Sequence, residues 1–355
     1  MKKITPLQIF ALMICGRSFS FMTYFPFTND SSLVLMIGLL ISTVIQALLI
    51  FPVLIFHKHY LNDNICTLSM SKNRFVGIAV TILYLLFFMG VAFIVIGNFS
   101  YFMDYYFSNY IPRIMIVISC TLVAIYLGKM NITVIGKAGA IALTLFAIFT
   151  VIIVSSSIQN FHFSNFHLAV ESVPKSLIGA IKTEFARNRD LVVFAFLLPD
   201  IKGKASRVAW WYFAVKVVVI EVILGFITII LGDFALITKL PFFSLAAYSH
   251  TQIVERYDAA FMSIWVIMAI VKLGTYFHCS ARCIKLCIPK IPFVTSVIIS
   301  GAIPTAAALY FLIPHKWESI AYYQGGGGAI LLLYVIVPLI LLLFVKKGGY
   351  HDEKA

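Results

Sequence analysis

Ten apolar runs, each 17 to 27 residues long, fill this chain and leave only short polar loops between them. The hydrocarbon core of a bilayer is about 30 Å thick, so a helix rising about 1.5 Å per residue needs about 20 apolar residues to cross it. The runs fall near 6–26, 33–56, 75–101, 112–128, 134–157, 183–201, 208–231, 258–282, 291–313 and 327–345. A barrel would show short alternating strands instead, so the pattern predicts an all-α integral membrane protein of ten transmembrane helices. With 61% hydrophobic and only 12% charged residues, the chain has no room for a soluble domain, and 1–355 reads as one transmembrane domain.

A net charge of +13 invites a nucleic-acid reading, but the basic residues are dispersed rather than gathered in a stripe, and no nucleic-acid partner is expected. Their placement follows the bilayer. With the N-terminus taken as cytoplasmic, the inner segments hold Lys2, Lys3, Lys58, Lys72, Arg74, Lys129, Lys137, Lys202, Lys204, Arg207, Arg282, Lys285, Lys290, Lys346, Lys347 and Lys354. The outer loops hold Arg113, Lys175, Lys182, Lys239, Arg256 and Lys316. Sixteen against six is a positive-inside bias that predicts an even number of spans and both termini in the cytoplasm. The first run carries Arg17 and no small-residue cleavage site, so it reads as a retained helix.

Six cysteines do not suggest a disulfide framework, because Cys15 and Cys120 lie inside spans. Cys279, Cys283 and Cys287 recur at helical spacing beside His278, a pattern that small buried thiols in helix packing explain without a metal. The four glycines at 325–328 read as a flexible lead-in to the tenth span, since no lysine followed by serine or threonine comes after them. The stretch from Phe161 to His167 reads as an amphipathic lid with its rings at headgroup level. No nucleophile–base pair, phosphate loop or paired carboxylates stand out, so neither an enzyme nor a cofactor or metal is expected.

Ionisable residues inside a membrane are costly, so their positions point most directly to a site. They concentrate in the first, sixth, seventh and eighth spans. In the first, Cys15-Gly16-Arg17-Ser18-Phe19-Ser20 interrupts an apolar helix; in the sixth, the polar stretch Lys182 to Asp190 precedes Leu191 to Pro199. Each interruption is followed by a proline, Pro26 or Pro199. Breaks at corresponding places in two halves, about 1–157 and 174–345, predict a five-plus-five inverted-repeat transporter fold with broken first and sixth helices and a ligand held at the breaks. Dipoles and carbonyls freed there suit the carboxylate and ammonium of an amino acid. The candidate ligand-binding residues are Gly16, Arg17, Ser18 and Phe19 in the first span, Arg187, Asn188 and Asp190 in the sixth, and Lys272 in the eighth.

The residues leave alternatives open. Glu184, Arg187 and Asp190 are three apart and could pair along one face of a surface-lying helix. Arg17 could meet a substrate carboxylate, or pair with Asp190 or Glu184 as a buried structural contact. Lys272 could be a fixed structural cation, exchange a proton, or face the lumen as a bystander. Lys216 and Glu221, five apart on the seventh span, do not face each other, so each needs a partner on another helix or water.

Four local stretches stand out: Ile4-Thr5-Pro6-Leu7-Gln8, the run from Asp190 to Pro199, Leu240-Pro241-Phe242-Phe243, and Glu255-Arg256-Tyr257-Asp258 leading into Ile264-Trp265-Val266 and Lys272. In these the chain resembles the spore germination permease family, the integral-membrane B subunits of nutrient germinant receptors, within the amino acid/polyamine/organocation superfamily. The resemblance implies the ten-helix LeuT/APC-like fold, a ligand between the first and sixth helices walled by the third and eighth, partner subunits of the A and C types, and a spore inner membrane or bacterial plasma membrane. Relatives carry a more glycine-rich first break, whereas this chain has Arg17 beside a single Gly16, so an alanine-like specificity does not transfer directly.

Three functions are compatible with one such fold. The resemblance favours a sensor that binds a small germinant and signals through partner subunits. The others are a proton-coupled amino acid transporter, and a water or ion pore or scaffold in the receptor complex.

Overall fold

The computed structural model describes residues 3–23, 32–107, 112–166, 172–238, 240–248, 257–312 and 327–344. Pro26, His167, Glu255, Arg256, Gly325 and Gly326, each of which the sequence singles out, lie outside them.

The first helix, α1 (Pro6–Thr23), begins with a capping box. Thr5 N donates to Gln8 Oε1 at 3.0 Å and Gln8 N donates to Thr5 Oγ1 at 3.3 Å, while Pro6 supplies a fixed φ and no surplus donor. The second apolar run divides into α2 (Ser32–Leu48) and α3 (Phe51–His59), because Pro52 lies in the first turn of α3 and has no N–H for the preceding turn. A short α4 (Ile65–Lys72) is capped by Asn64, whose Oδ1 accepts from Thr67 N at 2.7 Å. Asn73 then caps the 34-residue α5 (Arg74–Phe107), accepting from Phe75 N at 3.0 Å and Val76 N at 3.3 Å.

There follow α6 (Arg113–Gly128), α7 (Ile132–Ser156), α8 (Val173–Arg187), α9 (Asp190–Leu197), α10 (Ala205–Leu231), α11 (Phe234–Ile237), α12 (Pro241–Tyr248), α13 (Asp258–Cys287) and α14 (Phe293–Leu312). The last helix, α15, runs from Gly327–Leu331 through a π turn at Leu332–Ile336 into Val337–Phe344. The π turn precedes Pro338, which cannot donate to the carbonyl of Tyr334, and Tyr84 OH donates to the nearby Leu333 carbonyl at 2.6 Å.

Among the described residues, six helices are long and apolar enough to cross a membrane: Ser32–His59, Arg74–Met103, Ile132–Ser156, Ala205–Leu231, Asp258–Cys287 and Phe293–Phe311. Two shorter apolar helices, Ile114–Gly128 and Gly327–Leu343, and the more polar α1 and α8–α9 occupy the other expected runs. Leu40, Val44 and Leu48 on α2, and Ile141, Ile148 and Val151 on α7, are exposed, while Arg17, Glu184, Asp190, Lys216 and Lys272 are buried. Apolar outside and ionic inside is the distribution that a lipid solvent imposes. This is a multi-pass membrane protein.

Two expected helix boundaries are corrected. The break expected at Cys15–Ser20 is absent, since α1 is helical throughout Pro6–Thr23. Its polar side chains support the helix instead of interrupting it: Ser20 Oγ donates to the Gly16 carbonyl at 3.2 Å and Thr23 Oγ1 to the Phe19 carbonyl at 2.5 Å. The sixth span starts earlier than position 183, because Lys182 to Arg187 belong to α8, and the real interruption is confined to Asn188 and Arg189.

The central α13 packs against α1, α5, α6, α7 and α14, and α1 in turn against α7 and α10. The end of α10 is turned by Gly232 at φ 51°, a left-handed conformation that favours glycine. The segment after α7 forms two short 3₁₀ turns, Ile158–Asn160 and Phe163–Asn165, and docks there, with His162 N and Asn165 Nδ2 both donating to the Ile229 carbonyl at 3.1 Å.

Candidate functional site

Two clusters of buried polar side chains meet where α8 gives way to α9. In the first, Asp190 opens α9 with Oδ2 accepting from Lys272 Nζ at 3.0 Å and Oδ1 accepting from Tyr276 OH at 3.1 Å. Lys272, mid-way along α13, also donates to the Gly16 carbonyl at 2.7 Å and to Ser20 Oγ at 2.6 Å. Three oxygens thus use all three donors of one ammonium, tying α1, α9 and α13 together. The approach is close: a Cβ on Gly16 would lie 2.7 Å from Asp190 Oδ1, so only glycine lets α1 and α9 touch here.

In the second cluster, Glu184 near the end of α8 accepts from Arg17 Nη2 through one oxygen and from Lys216 Nζ through the other, the latter at 3.0 Å. Lys216 also donates to Gln46 Oε1 at 3.0 Å, and Asn188 Nδ2 donates to the same oxygen at 2.5 Å. Tyr212 OH donates to Asn188 Oδ1 at 2.5 Å, and Gln46 Nε2 donates to Ser42 Oγ at 3.1 Å. Four helices, α1, α2, α8 and α10, therefore share one network with the residue at the break.

The network leaves two features unsatisfied. Arg17 is 1% exposed, yet its Nε and Nη1 have no hydrogen-bond partner among the described residues; its guanidinium carbon stands 5.9 Å from the Phe21 ring centroid. Both oxygens of Glu221, half-buried on α10, also lack a partner among those residues. A buried donor left without an acceptor costs free energy, so the two unpartnered nitrogens of Arg17 are chemically suited to an anionic group.

Side-chain layers flank the clusters along α13. Seven residues before Lys272, Trp265 stacks on Phe102 at 4.3 Å and Phe99 at 5.2 Å, contacts Phe19 at 5.2 Å, and donates from Nε1 to Thr23 Oγ1 at 3.0 Å. Toward the other end, Phe88 packs edge-on to Phe196 at 5.2 Å and Tyr276 at 6.0 Å. Beyond that layer Arg282 pairs with Asp200, and the next residue, Ile201, forms an isolated parallel bridge with Ile4.

The family model for spore germination proteins, Spore_permease, matches residues 3–315. The chain belongs to the spore germination permease family. No curated protein matches this permease in sequence. Its fold is that of solved transporters. A substrate-bound, outward-open Na⁺-coupled sialic acid symporter superposes with TM-score 0.57 at 14% identity, covering 93% of this chain and 78% of that one. A manganese transporter from Eremococcus coleocola superposes with TM-score 0.55 at 12% identity, covering 95% and 75%.

Within the permease, Gly16, Arg17, Asn188, Asp190 and Lys272 all enter the two clusters. Ser18 is buried beside them, Phe19 faces the Trp265 layer, and Arg187 is half-buried at the end of α8. The surface-helix alternative is not what the structure adopts, because Glu184 and Asp190 lie on either side of the break, buried and bonded to different partners. Lys216 has its partners on α2 and α8, as its spacing from Glu221 requires, whereas Glu221 has none described. The residues missed are Ser42, Gln46, Tyr212 and Tyr276, while Ser20, Glu184 and Lys216 stand out in the sequence without being among the ligand-binding candidates. Gln46 was detectable as an amide in an otherwise apolar run, and each tyrosine stands four residues from an intramembrane lysine. The thiols Cys279 and Cys283 are buried and unpaired, and among the described residues no group of three or more His, Cys, Asp or Glu is placed to hold a metal ion.

Proposed function

We propose that this permease is the membrane subunit of a nutrient germinant receptor, and that it binds a small carboxylate-bearing germinant, an amino acid, between α1 and the α8–α9 break. The observation that carries the reading is the buried Arg17 guanidinium, which holds Glu184 through one nitrogen and leaves two others without an acceptor among the described residues. A ligand carboxylate would take those donors, and the adjoining Gln46–Asn188–Tyr212 network would sense its arrival, since the same residues hold the break in place. Ligand would then favour one arrangement of α8 and α9 over another, which is what a signal requires.

On this reading ten spans form two inverted five-helix halves, about 1–157 and 174–345, with both termini cytoplasmic and the chain in the spore inner membrane. Subunits of the A and C types would read the rearrangement. Lys272 serves as a fixed cation, its three donors all engaged. The protein catalyses no reaction.

A second reading, proton-coupled amino acid transport, is supported by the layers on both sides of the clusters, Trp265 on one and Arg282 with Asp200 on the other, which could open in turn. Liposomes separate the two. Saturable binding of a labelled amino acid without accumulation under an imposed proton gradient is expected of the receptor; accumulation above equilibrium would establish transport. No saturable binding of any amino acid would remove the ligand proposal.

A further inference from the structure

A groove of about 400 Å³ runs between the start of α1 and the start of α10, away from the polar clusters. Pro6, Leu7, Phe10, Trp211 and Val215 form its walls with Val208, and Arg207 is its one charged lining residue. Leu7 is 69% and Trp211 61% exposed, so the groove opens sideways, toward the lipid that surrounds a spanning helix. Its mouth is basic. Lys202 N donates to the Ile4 carbonyl at 2.8 Å and Ile4 N to the Asp200 carbonyl at 2.7 Å, a parallel bridge that brings the stretch from Lys3 to Thr5 alongside Asp200 to Lys202. Lys3, Lys202, Lys204 and Arg207 are all exposed, and the nearby carboxylate, Asp200, is already engaged by Arg282.

We infer that this groove holds one anionic phospholipid, one of its two acyl chains along Leu7, Phe10, Trp211 and Val215, the other in the bilayer, and its phosphate on Lys204 and Arg207. The volume lies within the range of about 300–1,000 Å³ found for single small-molecule sites. An apolar slot ending in a cluster of cations complements a molecule with an apolar tail and an anionic head, and tryptophans favour the boundary between the two. Because the slot is built from α1 and α10, a bound lipid would brace two of the helices that carry the polar clusters from outside.

The test uses the full-length protein in detergent, titrated with phosphatidylglycerol, phosphatidylcholine or glycerol 1-phosphate and followed by native mass spectrometry. One phosphatidylglycerol should be retained with at least about tenfold preference over phosphatidylcholine, given the head-group charge. Lys204→Gln with Arg207→Gln should abolish the preference while chain binding persists, and Val215→Trp should expel lipid of either kind. Equal retention of both lipids, or a preference that survives the double substitution, would overturn the inference. Displacement of bound lipid by glycerol 1-phosphate alone would also overturn it, by making the site one for free phosphate. Should Val215→Trp fail to fold, a diazirine-bearing acyl chain on the unaltered protein decides: labelling within 6–10 and 207–215 supports the site, and labelling confined elsewhere refutes it.

Discussion

Gly16 on α1 and Asp190 on α9 approach so closely that the smallest side chain at position 16 would stand 2.7 Å from a carboxylate oxygen. Gly16→Ala should therefore push α9 away or turn Asp190 off Lys272, at a cost of about 1–3 kcal/mol, the usual penalty for overpacking an interior. Gly16→Leu should abolish ligand binding while membrane insertion persists. Unchanged affinity in a folded Gly16→Leu protein would remove the site from α1.

Arg17 has a different signature, because it contributes both a structural ion pair and donors with no partner among the described residues. Arg17→Met leaves Glu184 still bonded to Lys216 and should weaken binding of a carboxylate ligand by at least about tenfold, given roughly 1.5–3 kcal/mol for a hydrogen bond to a charged group. The amide derivative of the same ligand should bind the unaltered protein weakly and discriminate little between the two proteins. Equal loss for acid and amide would show that the substitution acts through folding and not through contact.

The removal of Lys272 should destabilise the protein strongly. Lys272→Met strands Asp190 in the interior, and breaking a buried pair from one side costs about 3–5 kcal/mol. Lys272→Met with Asp190→Asn should recover most of the lost thermal stability in detergent. If the lysine is the fixed cation its three bonds suggest, the double variant should keep the pH profile of ligand binding seen in the unaltered protein. A flattened profile at restored stability would assign proton exchange to the Lys272–Asp190 pair.

How far the chain discloses this arrangement differs between its parts. The spans were legible because apolar length is a one-dimensional property, and Arg17, Asp190 and Lys272 stood out because charge inside a membrane demands a reason. The continuity of α1 was not legible. Glycine and serine at positions 16, 18 and 20 are equally consistent with an unwound turn and with a helix whose serine bonds back to a carbonyl four residues earlier. Only the position of Asp190 shows that Gly16 serves close packing rather than unwinding. Gln46, Tyr212 and Tyr276 escaped for a related reason: neutral polar groups become informative once their neighbours on other helices are known.

The pair between Arg282 and Asp200 fastens α13 to the segment that follows α9, and the Ile4–Ile201 bridge fastens the same segment to the chain leading into α1. If this lock closes the basic end of the bundle, Arg282→Ala should loosen it and expose what lies beside it on α13. Cys279 and Cys283 are buried three and one residues from Arg282, while Cys287 is half-buried near the helix end. In the unaltered protein a membrane-permeant maleimide should therefore modify Cys287 first. In Arg282→Ala, with Cys287 replaced by serine, Cys279 or Cys283 should react at least about tenfold faster than in the Cys287→Ser protein alone, a shift of about 1.4 kcal/mol in the opening equilibrium. Saturating ligand should alter that rate if the polar clusters and the lock are coupled, because Asp190 and Asp200 bracket the same short helix. Equal rates with and without Arg282 would show that the ion pair decorates an end of the bundle that other contacts hold shut.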